Sequence, residues 1–250
     1  MLDQITPLIL TYNEAPNIAR TLASVSWAKD IVVVDSFSDD DTLQLAASFP
    51  QVRVIQRKFD SHCNQWEFGL KETKISTPWV LALDADYVLS DDLTNELKHL
   101  IPRHHTAGYQ ANFVYCINGK KLQSGIYPPV TVLYRRESAS YKQDGHTQRV
   151  ALDGQIEDLR SPIFHDDRKS LKRWLSAQAR YTELEAQKLL TVDRAELGLA
   201  DRMRRWRFVM PPAMFVYCLI VRRGILDGRA GFCYAFQRAW AELMLSQKLQ

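Results

Sequence analysis

The sequence predicts an α/β fold built on a mainly parallel sheet flanked by helices, with a helical appendage at its C-terminal end. Through roughly the first hundred residues, short apolar strands alternate with segments whose apolar residues recur at helical spacing. This alternation is typical of βαβ units. From Leu171 onward the pattern is helical throughout. The 250 residues are 46% hydrophobic and 24% charged, as expected of a globular chain that buries a sizeable core.

Four strands, each followed by a helix, are predicted in the first part of the chain. The first helix places Ile18, Leu22 and Val25 on one face, and Ser90 is the expected N-cap of the fourth. The predicted strands cover residues 5–10, 31–34, 52–56 and 79–83, and the predicted helices cover 17–28, the segment starting at 38–41, 64–74 and the segment after 90.

Beyond residue 100 the pattern indicates antiparallel strands and then helices. Residues 109–117 and 121–123 flank Asn118-Gly119, which is a strong signal for a β-hairpin. Residues 130–134 form another apolar strand, and residues 232–249 form a final amphipathic helix. We therefore expect the first part of the chain to carry the sheet and the last part to be helical.

Polar residues follow three of the predicted strands. Asp84-Ala85-Asp86 closes the strand at 79–83, Asp35 closes the strand at 31–34, and Thr11-Tyr12-Asn13-Glu14 follow the first strand. In an extended chain, carboxylates at i and i+2 point to the same side, about 6–7 Å apart. Parallel strands present their carboxyl ends at one edge of the sheet, where such folds bind ligands. The arrangement predicts a nucleotide pocket, although a solvated pair of acids at a polar strand end is the simpler alternative.

Within that pocket, the Asp84 and Asp86 carboxylates suit Mg²⁺ or Mn²⁺ holding a diphosphate, because both ions prefer oxygen ligands. Asp35 is the candidate for the base or ribose. The chain has no GxGxxG motif and no P-loop, which argues against a standard dinucleotide site and a phosphate-cradling ATPase. Its four cysteines lack metal-like spacing, so we expect reduced thiols, and we see no signal peptide.

Three blocks of the sequence resemble the family 2 glycosyltransferases of GT-A fold. They are Leu10-Thr11-Tyr12-Asn13-Glu14, then Val32-Val33-Val34-Asp35-Ser36 with Asp40 and Thr42, then Leu83-Asp84-Ala85-Asp86. The order and spacing of the blocks carry the resemblance, which covers roughly residues 5–150. It implies a GT-A catalytic domain at residues 1–165, with a donor half at about 1–100 and an acceptor half at about 101–165. Residues 166–250 would form a helical, basic and apolar region.

A more local similarity is to the lipopolysaccharide core β-1,4-glucosyltransferases. It rests on Phe59-Asp60-Ser61-His62 with Asn64-Gln65, on Asp84-Ala85-Asp86-Tyr87, on Gly145-His146-Thr147, on His165-Asp166-Asp167-Arg168, and on residues 224–228. This resemblance implies that the donor is a UDP-sugar, namely UDP-glucose. It also implies an inner-core heptose acceptor on lipid A–linked sugar and inversion at the anomeric carbon. Many relatives carry a second Asp where Ser36 stands, so recognition of the base here would shift to Asp35 or the backbone.

The resemblance also assigns roles to individual residues. The donor nucleotide would contact Thr11, Tyr12, Asn13, Glu14, Asp35, Gln65, Asp84 and Ala85, and the metal would be held by Asp84, Asp86 and His165. Inverting relatives use an acidic base on the acceptor side. Asp144, Glu157, Asp166 and Asp167 are candidates, and we select Asp144 because it lies in a polar stretch after a strand. His146 is a second candidate metal ligand, while a histidine at a helix start is the alternative interpretation of His165.

The C-terminal third of the chain is basic and apolar. From Arg160 onward there are 17 basic and nine acidic residues, whereas the preceding part is net acidic. The apolar residues 208–221 contain two prolines and are too few to span a bilayer. Arginines beside aromatic and aliphatic residues favour an anchor on an anionic membrane surface, with a pair of core helices as the alternative.

These expectations place a metal-dependent sugar transferase in the cytoplasm, peripheral on the inner face of the bacterial inner membrane. A transferase for capsule or another surface glycan is an alternative, as is a catalytically inactive, membrane-bound binding or scaffold relative. A nucleotidyltransferase is disfavoured because the expected glycine-rich loop is missing. Nucleic-acid binding would explain the basic tail but not the apolar residues beside it.

Overall fold

The computed structural model describes residues 1–144, 147–193 and 195–249, without the side chains of 143, 144, 147 and 148. The strands are β1 Ile5–Thr11, β2 Ile31–Asp35, β3 Val52–Gln56, β4 Trp79–Asp84, β5 Tyr87–Leu89, β6 Thr106–Ala111, β7 Phe113–Ile117, β8 Lys120–Lys121, β9 Val130–Arg135, β10 Ala139–Asp144, β11 Thr147–Leu152, β12 Gln155–Asp158 and β13 Ile163–His165. The helices are α1 Ile18–Ser24, α2 Thr42–Ala47, α3 His62–Glu72, α4 Asp91–His99, α5 Leu171–Thr191, α6 Leu199–Arg204, α7 Met210–Val216 and α8 Arg229–Lys248.

A seven-stranded sheet forms the centre of the first part of the chain, in the order β12-β6-β9-β4-β1-β2-β3. Strands β3, β2, β1 and β4 are parallel neighbours, and so are β12 and β6, whereas β9 runs antiparallel to both β4 and β6. The prediction of an α/β fold with a mainly parallel sheet is therefore confirmed.

Both faces of this sheet are apolar, which explains why its strands read as continuous hydrophobic runs. Ile9, Val33 and Leu81 pack on one face with Leu22 of α1 and Leu93 of α4. On the other face, side chains of the same strands pack against Trp66 and Leu70 of α3. Each fully buried side chain of this size contributes about 1.5–3 kcal/mol, so the sheet is a stable base for the loops at its edge.

Several predicted boundaries were wrong. Helix α1 ends at Ser24, before the predicted residue 28, because the chain turns at Val25. Helix α2 begins at Thr42, after the predicted start at 38–41, because the side chains of Ser38 and Asp40 bond within the preceding loop. The predicted strand 109–117 is two strands separated by Asn112. The turn at Asn118-Gly119 is confirmed: both residues have positive φ, 49° and 81°, as a type I′ hairpin requires.

The chain divides into two compact units. The first comprises Met1–Val114, Tyr127–Gln143 and Gln148–Arg168, and the second includes Tyr115–Ile126 and the chain from Lys169 onward. The domain boundary at 165 stays a prediction, and the hairpin at Asn118-Gly119 groups with the C-terminal helices. The reason is chemical: the Asp227 carboxylate accepts hydrogen bonds from the backbone N–H groups of Gln123 and Ser124.

The second unit is helical apart from this hairpin. Arg204 of α6 joins two long helices through its bonds to Glu185 of α5 at 3.0 Å and Glu242 of α8 at 3.3 Å. Leu189 and Leu245 pack in a small core between the same helices. Across the part of the chain that the structure describes, no helix combines the length and the hydrophobicity needed to cross a bilayer.

Candidate active site

Three neighbouring strands bring the predicted polar residues to one edge of the sheet. In the register of β1 with β2, Thr11 lies beside Asp35. In the register of β1 with β4, Leu10 lies beside Asp84. Because all three strands run in the same direction, their carboxyl ends meet at the edge where α/β sheets bind ligands. The described side chains of the candidate site lie within the first unit.

Asp35 organises the loop that follows β2. Its carboxylate is fully buried. One oxygen accepts hydrogen bonds from the hydroxyls of Thr11 (3.0 Å) and Ser38 (2.5 Å), and the other accepts from the backbone N–H of Ser38 (2.9 Å) and from Gln56 Nε2 (3.2 Å). A carboxylate with four donors is satisfied within the protein. Asp35 thus shapes the rim of the site, and its direct contact with a nucleotide stays a prediction.

The loop after β1 is fastened to the loop after β2 through Asn13 and Glu14. Asn13 has a left-handed backbone, φ 56°, and its N–H donates to Ser38 Oγ at 2.8 Å while its Oδ1 accepts from the N–H of Asp39 at 2.9 Å. The N–H of Glu14 donates to Thr42 Oγ1 at 2.7 Å. Tyr12, between Thr11 and Asn13, is 52% exposed. This loop therefore presents an aromatic ring to solvent on a backbone that is held in place.

Gln65 supports the same loops from α3. It is 1% exposed, and its Nε2 donates to Ser36 Oγ at 3.0 Å and to the carbonyl of Arg57 at 3.2 Å, while its Oε1 accepts from Arg57 Nη1 at 2.5 Å. Its amide is engaged at both ends, so the structure gives it a positioning role for Ser36. Contact between Gln65 and a bound nucleotide stays a prediction.

Asp84 and Asp86 lie on either side of a tight bend. Strand β4 ends at Asp84 and β5 begins at Tyr87, with Ala85 and Asp86 forming the turn between them. The expectation of an extended chain through this tripeptide was wrong, because the chain leaves the large sheet here. Ala85 is buried, and its carbonyl accepts a hydrogen bond from Thr21 Oγ1 at 2.6 Å. The turn that carries both carboxylates is therefore fixed from α1.

His165 lies next to this turn. In the antiparallel pair of β5 and β13, His165 is opposite Tyr87, and its Nε2 is 3.3 Å from Asp86 Oδ2. The rings of Tyr87 and Tyr127 meet the imidazole edge to face, at 5.3 and 4.9 Å between centroids. Burial lowers the pKa of His165, but the charge of Asp86, its hydrogen bond and the charges of Asp84 and Asp167 outweigh burial, so that its pKa is raised.

The residues at this turn suit a divalent cation that is shared with a substrate. Among the side chains that the structure describes, no three His, Cys, Asp or Glu groups form a metal cage. Magnesium, however, is commonly held by one or two carboxylates together with substrate phosphates. Adjacent ligands of an octahedral ion with bonds of about 2.1 Å are about 3 Å apart, which is close to the 3.3 Å between His165 Nε2 and Asp86 Oδ2. Asp86 and His165 are thus close enough to share an ion with a substrate, and the inclusion of Asp84 as a third ligand stays a prediction.

The segment after His165 is tied to both the turn and α1. The N–H of Asp166 donates to the carbonyl of Asp86 at 3.1 Å, and the Asp166 carboxylate accepts from Arg20 at 2.7 Å and from Arg168 at 2.8 Å. Asp167 accepts from Asn17 Nδ2 at 3.0 Å. Both acids are thus held in a network of ion pairs and hydrogen bonds, which gives them a positioning role next to the turn.

One other base candidate, Glu157, lies away from this turn. Glu157 is on β12, an edge strand of the large sheet, and accepts from Thr106 Oγ1 at 2.5 Å. The side chain of Asp144, the selected base, lies outside the described residues, and so does His146.

Sequence reasoning missed Asn17, Arg20 and Tyr127. Asn17 was seen only as a helix start, yet its side chain bonds to Glu14, Arg20 and Asp167. Arg20 is one turn further along α1, and an arginine near a helix start gives no sign of a partner 146 residues away. Tyr127 follows the predicted hairpin, and its bond of 2.6 Å to the Tyr87 hydroxyl could not be read from spacing.

Comparisons with known proteins identify the family and the fold of the chain. The glycosyl transferase family 2 model matches residues 8–152. An uncharacterized glycosyltransferase of Rickettsia felis is 25% identical over all of this chain and 90% of its own length. The lipopolysaccharide core biosynthesis glycosyltransferase LpsC of Rhizobium meliloti is 23% identical over 94% of this chain and 90% of its own length.

Two solved structures share the fold. Residues 1–349 of S. aureus TarS in complex with UDP-GlcNAc superpose with a TM-score of 0.52 at 14% identity, covering 98% of this chain and 89% of that fragment. The mannosyltransferase PcManGT of Pyrobaculum calidifontis, in complex with GDP-Man and Mn²⁺, superposes with a TM-score of 0.53 at 15% identity, covering 98% and 84%. The sheet order, the strand-end acids and these matches lead to one conclusion: this chain belongs to glycosyl transferase family 2 and is a glycosyltransferase with the GT-A fold.

Proposed function

We propose that the protein transfers glucose from UDP-glucose to a heptose of the lipid A–linked core oligosaccharide of lipopolysaccharide, with inversion at the anomeric carbon. The observation that carries this proposal is the fixed turn with Asp84 and Asp86, next to His165 and in register with the loops after β1 and β2. Similarity to LpsC supports a lipopolysaccharide core acceptor. The TarS complex with UDP-GlcNAc supports a UDP-sugar donor.

Each side of the site has a defined task in this reaction. Tyr12 offers an exposed ring for the base, and Thr11, Asn13, Glu14, Asp35 and Gln65 hold the loops that would surround the nucleoside. Mg²⁺ or Mn²⁺ held by Asp84, Asp86 and His165 would neutralise the charge that develops on the departing diphosphate. The PcManGT complex with Mn²⁺ supports this choice of ion. Because the bonds to Thr21 and Asp166 fix the turn before substrate arrives, little reorganisation is needed on binding.

The acceptor hydroxyl must lose a proton as the new glycosidic bond forms. Asp144 is the proposed base, since Asp166 and Asp167 are committed to Arg20, Arg168 and Asn17. Removing a general base lowers turnover by about 10²–10⁴-fold. The Asp144→Asn variant is expected to lose turnover in this range, and Glu157→Gln, the matched change at an edge strand, is expected to retain it.

The reaction would take place at the anionic, cytoplasmic face of the inner membrane, where a lipid-linked acceptor is accessible. The basic and apolar C-terminal region supports this location. No role in binding nucleic acid is proposed.

Transfer of radiolabelled glucose tests the proposal. Purified protein is given UDP-glucose and Mg²⁺ or Mn²⁺, with lipopolysaccharide that ends at the inner-core heptoses as acceptor. We expect labelled product, its loss with chelator, and its loss in Asp86→Asn. Asp92→Asn, which removes an acid of α4, is the matched control and should stay active.

The same assay separates the alternatives. Transfer of glucose to a capsular glycan, with no transfer to this acceptor, would replace the lipopolysaccharide assignment. Binding of UDP with neither hydrolysis nor transfer would identify an inactive binding relative. Absence of UDP binding in calorimetry, with and without metal, would overturn the proposal for the whole site.

A further inference from the structure

Exposed apolar side chains concentrate on a helical hairpin of the second unit. Helix α7 continues into a π-helical turn, Tyr217–Val221, and the chain then reverses into α8. Residues early in α7 pack near the late part of α8, as in the groove between Pro211 and Leu243, while Phe215 meets Phe232 at 5.5 Å between ring centroids. The two segments are therefore antiparallel, and their reversal forms the end of the hairpin.

Four large aliphatic residues stand out from that reversal. We call them the apolar tip: Ile220, Val221, Ile225 and Leu226, which are 57%, 64%, 63% and 67% exposed. Arg222 and Arg223, between the two pairs, are also exposed. Exposed apolar groups on one contiguous surface generally mark a site of interaction.

The backbone of the apolar tip is rigidly held. The Asp227 carboxylate is buried and accepts from the N–H of Gln123 at 3.1 Å, and from the N–H and hydroxyl of Ser124 at 3.0 and 2.7 Å. Gly224 and Gly231 pack so closely that a Cβ on Gly231 would lie 2.0 Å from the Gly224 carbonyl oxygen. Since these contacts fix the reversal in advance, binding a partner through the tip costs little ordering of the chain.

The solvent-facing charges of residues 202–241, which include the apolar tip, have one sign. Residues 202–241 contain eight arginines and a single acid, Asp227, and that acid is 4% exposed. Every solvent-facing charge of this segment is thus positive. Such a surface is attracted to anionic lipid headgroups, whereas a symmetric contact with a second copy would bring like charges together.

We infer that the hairpin docks on an anionic lipid bilayer, with the apolar tip inserted among the acyl chains and Arg222 and Arg223 at the level of the phosphates. This inference rests on the proposed function and names the element that meets the membrane. Aromatic side chains along the hairpin, Trp206, Phe208, Tyr217, Phe236 and Trp240, are also exposed, as is common for groups that lie at the lipid–water boundary.

Vesicle flotation with the full chain tests the inference. The vesicles are phosphatidylcholine alone, or phosphatidylcholine with phosphatidylglycerol. We expect binding to the anionic vesicles, decreasing with salt, and little binding to the neutral ones. The Ile225→Glu/Leu226→Glu double variant should bind at least about tenfold more weakly, and Arg223→Gln about fivefold more weakly.

Two exposed residues outside the hairpin serve as matched controls. Ile101→Glu in the first unit and Leu199→Glu on α6 replace side chains that are 87% and 76% exposed. Both variants should bind vesicles like the unaltered protein. The inference would be overturned if the controls lost as much vesicle binding as the tip variant, or if the protein bound equally to both kinds of vesicle.

Two further measurements keep the outcomes distinct. Sedimentation equilibrium should show a monomer without lipid, and a dimer abolished by the tip variant would identify the hairpin as a contact between copies instead. Calorimetric titration with UDP is made on the same preparations. UDP binding without vesicle binding rejects the membrane inference and leaves the proposed function standing. Vesicle binding without UDP binding rejects the proposed function and leaves membrane docking by the hairpin standing.

Discussion

The backbone N–H of Asp166 donates to the backbone carbonyl of Asp86 at 3.1 Å. This bond joins the turn that carries the acid pair to the segment that carries His165. Because Arg20 of α1 holds the Asp166 carboxylate, its guanidinium helps to position both the turn and the His165 segment. The site is thus supported by residues that need not touch a substrate.

Replacing Arg20 with Met should destabilise the protein by about 2–4 kcal/mol. The change leaves the Asp166 carboxylate, which is nearly buried, with fewer partners, and a buried charge that loses a partner is costly. Urea unfolding at neutral pH measures the effect. Lys29→Met removes an exposed ion pair with Asp3 and should cost less than about 1 kcal/mol. Similar values for the two variants would show that the Arg20 pair contributes no more than a surface contact.

Replacing Asp35 with Asn should weaken both stability and UDP binding. An amide NH₂ would face donors that now bond to a carboxylate oxygen, at a cost of about 1–3 kcal/mol. Thermal unfolding and calorimetric titration with UDP are the measurements. In Asp39→Asn, the neighbouring exposed acid of the same loop, both quantities should stay near those of the unaltered protein. Unchanged UDP affinity in Asp35→Asn would remove the proposed link between this loop and the nucleotide.

Replacing Gly231 with Ala should destabilise the second unit by about 3 kcal/mol. The new methyl group would overlap the carbonyl oxygen of Gly224, which is backbone and cannot move aside. Gly198→Ala provides a matched control because no atom lies within 4 Å of the added Cβ. Denaturation followed by circular dichroism compares the two. Equal stability of both variants would contradict the close packing of the hairpin.

The stability contributed by Asp227 should depend on pH. Burial raises the pKa of Asp227, but hydrogen bonds from Ser124 and Gln123 and the charge of Lys120 outweigh burial, so its pKa lies below the ordinary value. A carboxylate with a lowered pKa stabilises the fold above the unfolded-state pKa, near 3.9, and loses this contribution as pH falls through the folded-state pKa.

Urea unfolding of the unaltered protein and of Asp227→Asn measures this contribution. The difference in unfolding free energy should be largest above pH 5 and should shrink in acid, because protonation removes the charge that the variant already lacks. A difference that stays constant from neutral pH into acid would exclude the ionised carboxylate as its source.

Much of the fold could be read from the sequence because its signals are local. Ile31–Asp35 is continuously apolar up to its last residue, and such a strand is buried on both faces. Asn118-Gly119 determines its turn through the φ values it can adopt. In contrast, β12 has little apolar character, and its pairing with β6 arises from residues that are distant in the chain. Sequence patterns of short range cannot show such pairing.

The sequence likewise predicted some features of the candidate site and missed others. The acids at strand ends were found because strand register places them together. The roles of Asp35 and Gln65 were not, since the number of donors around a side chain depends on neighbouring loops. Arg20 and Asp166 are far apart in sequence, and their ion pair exists only once the sheet has formed.

The positions of the site residues along the chain determine how the protein can be truncated. The family match ends at residue 152, whereas His165 and Asp166 follow it and complete the surroundings of Asp86. A fragment trimmed to the matched region would keep both acids of the turn but would lack the strand β13 that pairs with β5. Boundaries drawn from sequence similarity therefore cut through the candidate site, and truncations that aim to preserve its described contacts must extend at least through Arg168.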